Sequence, residues 1–246
     1  MQALVVVTAG VAYGLLVSPA HAYRPFDGTD ADVAPTGEVE LEVGPVQYYR
    51  QGHENFLTAP AFVFNQGLFA DTELVVNAQQ QLEFTAPRGN APRPNLRGDD
   101  LLLKHVFRNG VLQGKSGLSV AAEGGALLPE LAGAHEFGAS FNLITSCAWS
   151  SVALHWNEWF LLDREGQASI FTGLIVEGPQ AWPVRPVAEL FYARTFSGEQ
   201  TSSLLLGAIW RARESLALDL GARGAKVGHA YAGEARLGFT WSFAGG

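Results

Sequence analysis

EARLGFTWSF, residues 234–243, alternates between polar or small residues and apolar residues along its whole length. The apolar positions are Ala235, Leu237, Phe239, Trp241 and Phe243. Because successive side chains of a β-strand point to opposite faces, a period of two predicts a strand with one apolar and one charged face. In a soluble sandwich the charged face meets water and the apolar face meets a core. In a membrane barrel the apolar face meets lipid, the charged face lines a lumen, and aromatic residues sit at the interface.

The same stretch resembles the C-terminal assembly signal of bacterial outer-membrane barrels. That signal has a polar residue, a glycine and two aromatic residues, at the positions that Arg236, Gly238, Trp241 and Phe243 occupy here. The aromatic residue usually closes such a chain, whereas residues 244–246 follow it in this one. The resemblance implies that the barrel-assembly machinery reads this segment. It also implies that the two aromatic residues matter for insertion.

Composition narrows the class of protein. Of the 246 residues, 16% are charged and 48% are hydrophobic, whereas a soluble domain carries about 25% charged residues. The chain has no run of about 18 apolar residues, which excludes a bundle of membrane helices. The net charge of −8 argues against a nucleic-acid partner. The single cysteine, Cys147, excludes an internal disulfide and a cysteine metal cluster, and we interpret it as a small apolar filler.

The N-terminus has the pattern of an export leader. Residues 3–17 are apolar or small and are too few to span a bilayer as a helix. Residues 20–22, Ala-His-Ala, form a small-any-small cleavage site before Tyr23, although no lysine or arginine precedes the apolar core. We therefore predict that residues 1–22 are a signal peptide. Residues 23–246 are then an exported, mature protein of a Gram-negative envelope.

Residues 23–37 are expected to form a short, extended lead-in to the barrel, because proline, glycine and aspartate recur in it. Calcium binding is one interpretation of the three aspartates in this segment, Asp27, Asp30 and Asp32. They lack the glycine and the distal glutamate of the helical calcium loop, so no metal site and no cofactor is predicted.

The rest of the chain predicts an all-β fold. After the lead-in, about twelve segments show a period of two rather than a helical period. An even number of strands suits a bacterial barrel, and pairing of the first strand with the last leaves no open edge. We therefore predict a transmembrane antiparallel up-and-down β-barrel of about twelve strands. Turns are expected at residues 65–68 and at Asn109-Gly110, and one strand is expected to begin at Val187.

One family resemblance follows from the first part of the chain. Residues 24–31 (RPFDGTDA), the strand at residues 37–42 and the hairpin at residues 60–74 look like the start of a group of outer-membrane barrels. That group is named for the meta-pathway of phenol degradation, and its members are often labelled transporters. The resemblance runs from Tyr23 to Phe243. It implies a barrel in the outer membrane and a link to the catabolism of aromatic compounds.

Sorting the strands by parity predicts which charged side chains line the lumen. A Lys or Arg facing lipid at mid-depth costs about 2–4 kcal/mol, so charged positions are expected to face inward. The predicted lumen-lining residues are Glu38, Glu40, Glu42, Glu73, Glu83, Asp100, Lys104, Arg108, Glu123, His155, Glu177, Glu189, Arg211, Asp219, Arg223, Glu234 and Arg236. This row has more acidic than basic members, so the lumen is expected to be net acidic.

Several functions fit such a barrel. The first is a channel or transporter for small solutes, which the family resemblance extends to aromatic or other small hydrophobic compounds. The second is a structural barrel whose lumen is filled by ion pairs; twelve strands lie between the filled lumen of about eight and the wide channel of sixteen. A secreted soluble β-sandwich is a further alternative.

The remaining alternative is an enzyme in a barrel, such as outer-membrane phospholipase A. It needs a serine activated by a histidine and oriented by a third polar group. His155 with Asn157 is the best local candidate, and Ser150, Ser151 and Ser169 are the serines considered. No segment resembles the His-Ser-Asn segment of that phospholipase, so no catalytic residue is predicted. The expected partners are outer-membrane lipid, the barrel-assembly machinery and a small-molecule solute.

Overall fold

The computed structural model describes residues 24–83, 94–130 and 134–245, without the side chains of residues 83 and 94–98. Twelve antiparallel strands close into one barrel, in which each strand pairs with its neighbours in the chain and β1 pairs with β12. The strands are β1 Glu38–Gln51, β2 Glu54–Phe69, β3 Thr72–Glu83, β4 Pro94–Arg108, β5 Ser119–Leu127, β6 Gly138–Ala148, β7 Ala153–Leu162, β8 Ala168–Glu177, β9 Val184–Thr195, β10 Gln200–Arg213, β11 Leu216–Val227 and β12 Ala230–Ala244. The prediction of an all-β up-and-down barrel of about twelve strands is confirmed.

Closure of the barrel depends on the first and last strands. In the β1–β12 ladder Val39 lies opposite Phe243, and a bulge between Val43 and Val46 shifts the register once. Closure leaves no strand edge with a row of unpaired N–H and C=O groups. Helical structure in the described residues is confined to one turn of 3-10 helix, Val111–Gln113. No described helix is long and apolar enough to cross a membrane.

The barrel has two different ends. The terminal end carries the start of β1, the end of β12 and the connections at residues 70–71, 109–118, 149–152, 178–183 and 214–215. The distal end carries the end of β3, the start of β4, the end of β5, the start of β6, and the turns at residues 52–53, 163–167, 196–199 and 228–229. The lead-in therefore approaches the barrel at its terminal end.

The two faces of β12 differ as its sequence predicts. Glu234, Arg236 and Thr240 point into the barrel and are at most 7% exposed, whereas Leu237 and Trp241 point outward and are 52% and 48% exposed. Large apolar side chains are exposed on the outer face of other strands too, among them Leu101, Phe141, Trp156, Leu190, Leu206 and Leu220. The outer surface is thus largely apolar and most of the strand charges lie on the inner surface. Glu158 is an outward exception, and it accepts a hydrogen bond from Nε1 of Trp156.

The prediction of a turn at residues 65–68 is wrong. β2 continues to Phe69, and the turn follows at Ala70 and Asp71, whose φ is 61°. Gly67, which suggested the turn, instead lies against the lead-in: a Cβ on Gly67 would overlap the carbonyl oxygen of Pro35. This glycine therefore permits a close approach of two backbones rather than a change of direction.

Two other boundaries differ from the sequence prediction. The connection expected at Asn109-Gly110 extends over residues 109–118. β9 begins at Val184 rather than Val187, so it includes Pro186. The β8–β9 ladder ends at the pair of Glu177 and Val187. Pro186 lies just beyond that ladder. Its carbonyl oxygen still accepts the N–H of Gly178, but a proline has no N–H to return the bond, and the pairing ends there.

The outward aromatic residues at the end of β12 generate a prediction about assembly. Trp241 and Phe243 lie with ring centroids 4.9 Å apart, on the strand that resembles the assembly signal. We expect a Trp241→Ala/Phe243→Ala variant to reach the outer membrane in much smaller amounts than the wild-type protein. The heat-modifiable band on a detergent gel measures the inserted amount.

The matched control removes two aromatic residues near the same end of the barrel but from other strands. Trp210 on β10 and Phe107 on β4 are 50% and 68% exposed. A Trp210→Ala/Phe107→Ala variant should insert nearly as well as the wild-type protein. Equal losses in both double variants would mean that apolar surface matters and the final strand has no special role.

Candidate functional site

The lead-in lies inside the barrel. Arg24, Phe26, Asp30, Ala31 and Ala34 are each at most 9% exposed, and they contact inward side chains of the strands. No site was predicted in this segment from the sequence, and its aspartates were considered only as calcium ligands. The structure makes it the centre of the lumen.

Backbone N–H groups of the lead-in donate hydrogen bonds to side chains of the barrel wall. The pairs are Ala34 N to Glu73 Oε2 at 2.7 Å, Ala31 N to Ser146 Oγ at 2.9 Å, Thr29 N to Asn157 Oδ1 at 3.0 Å, Gly28 N to Glu189 Oε1 at 2.7 Å and Arg24 N to Glu42 Oε2 at 3.2 Å. The acceptors belong to β3, β6, β7, β9 and β1. A segment without a ladder of its own needs such acceptors when it is buried. The wall therefore holds the lead-in from strands spread around the barrel.

Asp27 is the most heavily paired side chain of the lead-in. Its carboxylate lies 2.5 Å from Nη2 of Arg223 and 3.1 Å from Nη1 of Arg236. Both arginines also contact Glu234, and Arg236 donates to the carbonyl oxygen of Pro25 at 2.7 Å. Desolvation inside the barrel acts to raise the pKa of Asp27, but the guanidinium groups of Arg236 and Arg223 outweigh it and lower that pKa. Asp27 is therefore held as a carboxylate between two cations.

Lys104 forms a second charged contact with the lead-in. The side chain is 1% exposed, and its Nζ lies 3.4 Å from Glu73 and 4.0 Å from Asp30. It also donates to Oγ1 of Thr29 at 3.3 Å. Burial raises the pKa of the Asp30 carboxyl well above its ordinary value, although the Lys104 ammonium opposes this shift. Among the described residues, no group of three or more His, Cys, Asp or Glu side chains is arranged to hold a metal ion.

Arg24 occupies space that two glycines of the wall leave free. Its Nε lies 3.9 Å from Asp219. A Cβ on Gly238 would overlap Nε of Arg24, and a Cβ on Gly44 would lie 2.5 Å from its Nη2. Gly238 was expected as part of the assembly signal. The structure adds a local reason for glycine there, since any side chain would displace the arginine.

Apolar contacts accompany the polar ones. Phe26 belongs to a buried cluster with Ile175, Val187, Leu205, Ile209 and Ala217. Ala31 belongs to another, with Val106, Ala121 and Ile144, against which Val33 and Leu112 pack. The lumen is therefore a mixed core around the lead-in rather than a purely polar passage, and burial of these side chains adds to the hydrogen bonds.

His155 is a residue of the barrel wall close to the lead-in. It contacts Ser146, a serine that was not among the candidates named from the sequence. Its Nδ1 lies 2.8 Å from Oγ of Ser146, and its Nε2 lies 3.6 Å from Glu177. A serine, a histidine and a carboxylate in contact resemble a hydrolytic triad. However, Ser146 is fully buried, and its Oγ accepts the N–H of Ala31. The lead-in thus occupies the space in which a substrate would have to lie.

The structure places the other predicted lumen residues as follows. Buried and inward are Glu40, Glu42, Glu73, Lys104, Glu123, His155, Glu177, Glu189, Asp219, Glu234 and Arg236. Arg223 and Asp100 also face inward, with side chains that are 9% and 23% exposed. Glu38 and Arg211 lie on inward positions near the terminal end. The side chain of Glu83 is not among those that the structure describes. The same holds for the side chains of the arginines in the loop expected at residues 86–97.

Arg108 requires a correction. A bulge between Val106 and Arg108 breaks the alternation, so Arg108 pairs with Val120 instead of following the inward row. The residue is exposed, and its guanidinium lies near Gly117 at the terminal end. A bulge inserts one residue and reverses the face of every residue beyond it. Counting alternate positions in the sequence ignores the bulge, and it therefore assigned Arg108 to the lumen.

Sequence reasoning missed several inward residues. Arg185 forms an ion pair with Glu177, with its Nε 2.7 Å from Oε2, but it was not predicted because the strand was expected to begin at Val187, after this residue. An irregular segment carries no periodic signal, so the inward positions of Arg24, Asp27 and Asp30 were missed. One indication was present: the predicted row holds more acids than bases, and buried acids need cations or N–H donors.

Among the described residues, three cavities border Asp27 of the lead-in. One of about 140 Å³ lies between the lead-in and the wall, next to Glu42, Glu73 and Lys104. The second, of about 370 Å³, is bordered by polar residues of β1, β3 and β4, among them Gln47, Asn77, Gln79 and Asp100. The third, of about 390 Å³, is bordered mainly by apolar residues of β7 to β10. Asp27 borders all three, so this residue of the lead-in lies where the three spaces approach each other.

Comparisons with known proteins agree on the fold. No family model and no curated protein matches this chain. The structure is similar to an outer membrane channel from Pseudomonas putida F1, with a TM-score of 0.66, 9% identity, and coverage of 89% of this chain and 100% of that one. The KdgM porin gives a TM-score of 0.49 and 12% identity over 83% of this chain and 99% of its own. The chain therefore shares the barrel fold of an outer membrane channel, and the resemblance to the phenol meta-pathway family stays a prediction.

The contacts of Lys104 predict its role in stability. Lys104→Met removes the ammonium and leaves Glu73 and Asp30 buried without their cation, so we expect the free energy of unfolding to fall by about 3–5 kcal/mol. Urea unfolding of the refolded protein in lipid vesicles measures this change. Lys226→Met is the matched control, because Lys226 is an exposed lysine near the distal end. Its unfolding should change by less than about 0.5 kcal/mol. Equal unfolding midpoints for both variants would contradict a role for Lys104 in holding the lead-in.

Proposed function

We propose that this protein is an outer-membrane channel for small solutes whose lumen is closed by its own lead-in. The observation that carries the proposal is the path of residues 24–36, which cross the lumen while cavities remain beside them. The fold shared with an outer membrane channel supports the same function. With the lead-in in the lumen the barrel passes at most very small solutes, and displacement of the lead-in widens the passage.

The way in which the lead-in is held supports a closure that can be released. In the described residues it is attached to the wall through hydrogen bonds, ion pairs and apolar contacts, and the side chain of Asp27 is 32% exposed. Water and ions in these cavities can replace its partners one by one, so no covalent step is needed for opening. The described strands close the barrel by pairing with each other, β1 with β12 included. The lead-in can therefore move without breaking the ladder.

The main alternative is a structural barrel with a permanently filled lumen. Its support is the network of buried ion pairs, such as Arg185 with Glu177 and Arg236 with Glu234. In that case the lead-in is part of the core and its removal destabilises the protein without opening a passage. Conductance separates the two functions directly.

We further propose that the protein is not an enzyme. Catalysis by Ser146 and His155 requires an accessible hydroxyl and room for an acyl group, and the lead-in takes both. Hydrolysis of a phospholipid or a short-chain ester by the purified wild-type protein, lost in Ser146→Ala, would overturn this proposal.

We also propose that the protein resides in the bacterial outer membrane after removal of residues 1–22. Arg24 lies in the lumen with its backbone N–H bonded to Glu42, so a retained leader would have to start from inside the barrel. We expect the outer-membrane fraction to contain a protein whose N-terminal sequence begins at Tyr23. Ala22→Arg, which spoils the cleavage site, should leave an unprocessed form. Recovery of the wild-type protein as a soluble periplasmic product would contradict this location.

Release of the lead-in is predicted to raise conductance. Asp27→Asn/Glu189→Gln removes the two carboxylate charges that pair with Arg223 and replaces the charged acceptor of the Gly28 N–H with a neutral amide oxygen. We expect single-channel conductance in planar bilayers to rise several-fold over the wild type, because a constriction limits the flow of ions. Deletion of residues 24–36 should raise it further.

The matched control for this experiment changes the same number of charges away from the lead-in. Asp163→Asn/Glu165→Gln alters a turn at the distal end and should leave conductance as in the wild type. Equal conductance of the wild type, the release variant and the deletion variant would show that the lead-in is not the barrier. Absence of conductance in all of them would support the structural alternative.

A further inference from the structure

A further cavity lies on the outer side of the barrel at its terminal end, between the connection at residues 109–118 and the end of β6. Its volume is about 290 Å³. Cys147 borders it and follows the inward Ser146 on the same strand, so the cysteine points outward. The apolar walls are formed by Val111, Leu118, Ala148 and Trp149. The cavity therefore lies at the rim where the apolar outer face of the barrel ends.

The connection beside this cavity is held in one shape by its own backbone and by the lead-in. The N–H of Lys115 donates to the carbonyl oxygen of Gly110 at 2.9 Å, and Gly117 has a φ of 88°, which favours glycine. On the lumen side, Nε2 of Gln113 donates to the carbonyl oxygen of Ala31 at 2.8 Å. The inner face of the connection is thus occupied by the lead-in. Its outer face presents the exposed side chain of Lys115 to the cavity.

Arg108 supplies a second cation at the same rim. The bulge between Val106 and Arg108 turns this arginine outward. A Cβ on Gly117 would lie 3.1 Å from Nη2 of Arg108, and Gly117 borders the cavity. Bulges often re-aim a side chain at the rim of a barrel. The irregularity that moves Arg108 out of the lumen therefore places its guanidinium beside the cavity.

These two cations have no acidic partner among the described residues. Arg108 and Lys115 are exposed and form no ion pair there. Residues 108–118 and 146–152 contain no aspartate or glutamate. The acids that do contact the connection, Asp32 and Asp71, bond to the amides of Gln113 and Asn109. An anionic group in the cavity would therefore meet two uncompensated cations, and Arg and Lys are the usual partners of phosphate.

The apolar walls and the position of the cavity narrow the anion to that of a lipid. A space of about 290 Å³ equals about ten water molecules, which suits a head group but not a whole lipid. The acyl chains would continue over outward side chains of β6 such as Leu143 and Phe141, which are 45% and 53% exposed. Trp149 is 64% exposed, and a tryptophan at a membrane rim lies at the level of the head groups.

We infer that the cavity between Lys115 and Trp149 is a binding site for the head group of an anionic phospholipid. The phosphate lies between Arg108 and Lys115, and the glycerol contacts the apolar walls. A zwitterionic phospholipid carries its own cation, which would be repelled by the two cations of the site. A free phosphate would use the cations but gain nothing from the apolar walls.

Native mass spectrometry of the refolded full-length protein, with added dioleoyl phosphatidylglycerol or dioleoyl phosphatidylcholine, tests this site. The first phosphatidylglycerol should bind more tightly than the first phosphatidylcholine. Arg108→Ala and Lys115→Ala should each weaken the first phosphatidylglycerol about fivefold, the effect of one cation near a lipid surface, and leave phosphatidylcholine nearly unchanged. Trp149→Ala should weaken both lipids. Because Arg108 and Lys115 are exposed, these variants should fold, which the heat-modifiable band checks.

The matched control removes an exposed arginine and an exposed lysine from the distal end. Arg50→Ala/Lys226→Ala changes the same charges as Arg108→Ala/Lys115→Ala and should leave the first phosphatidylglycerol bound as in the wild type. Cys147, the protein's single cysteine, reports the location. Phosphatidylglycerol should slow its modification by N-ethylmaleimide several-fold in the wild type and in the distal variant, but not in Arg108→Ala/Lys115→Ala.

Three results would overturn the inference. Equal losses of phosphatidylglycerol in the two double variants, or no loss in either, would show that the cavity is not a site. Protection of Cys147 by inorganic phosphate as strong as that by the lipid would assign the cations to a free anion. Protection that rises with protein concentration in the absence of lipid would assign the cavity to contact with a second copy of the chain.

Discussion

The lead-in crosses the lumen without secondary structure, so its backbone N–H groups depend on acceptors from the barrel wall. Glu42, Glu73 and Glu189 supply carboxylates for this purpose, and Ser146 and Asn157 supply neutral oxygens. An unpaired N–H in this space would cost about 1–3 kcal/mol. The position of the inward acids is therefore tied to the path of the lead-in. The path of the lead-in through the lumen and the acidic character of the wall are therefore two consequences of one requirement.

The same requirement explains how acids can outnumber bases in the interior. A buried carboxylate needs a cation or several hydrogen-bond donors. The wall provides some cations, such as Arg236 and Lys104, and the lead-in provides Arg24 together with its N–H groups. The net acidic row that would attract cations in an open pore thus serves first to bind the lead-in. Displacing the lead-in would leave these acids facing water.

The distal part of the lumen has two unlike walls. Polar residues such as Gln47 and Asn77 line the side formed by β1, β3 and β4, and aromatic residues line the side formed by β7 to β9. Asp27 lies where both meet.

The sequence alone determined the class of fold, because alternation with a period of two is a local property. The outward row of β12 and inward residues such as Glu189, Asp219 and Arg236 follow directly from it. Local patterns do not report bulges, and for that reason Arg108 was assigned to the wrong face. Only the tertiary structure decided the path of residues 24–36, because an irregular segment is held by partners more than a hundred residues away, as Gly28 is by Glu189. The contacts of His155 with Ser146 and of Trp159 with Phe171 likewise arise from the pairing of neighbouring strands, which no single segment encodes.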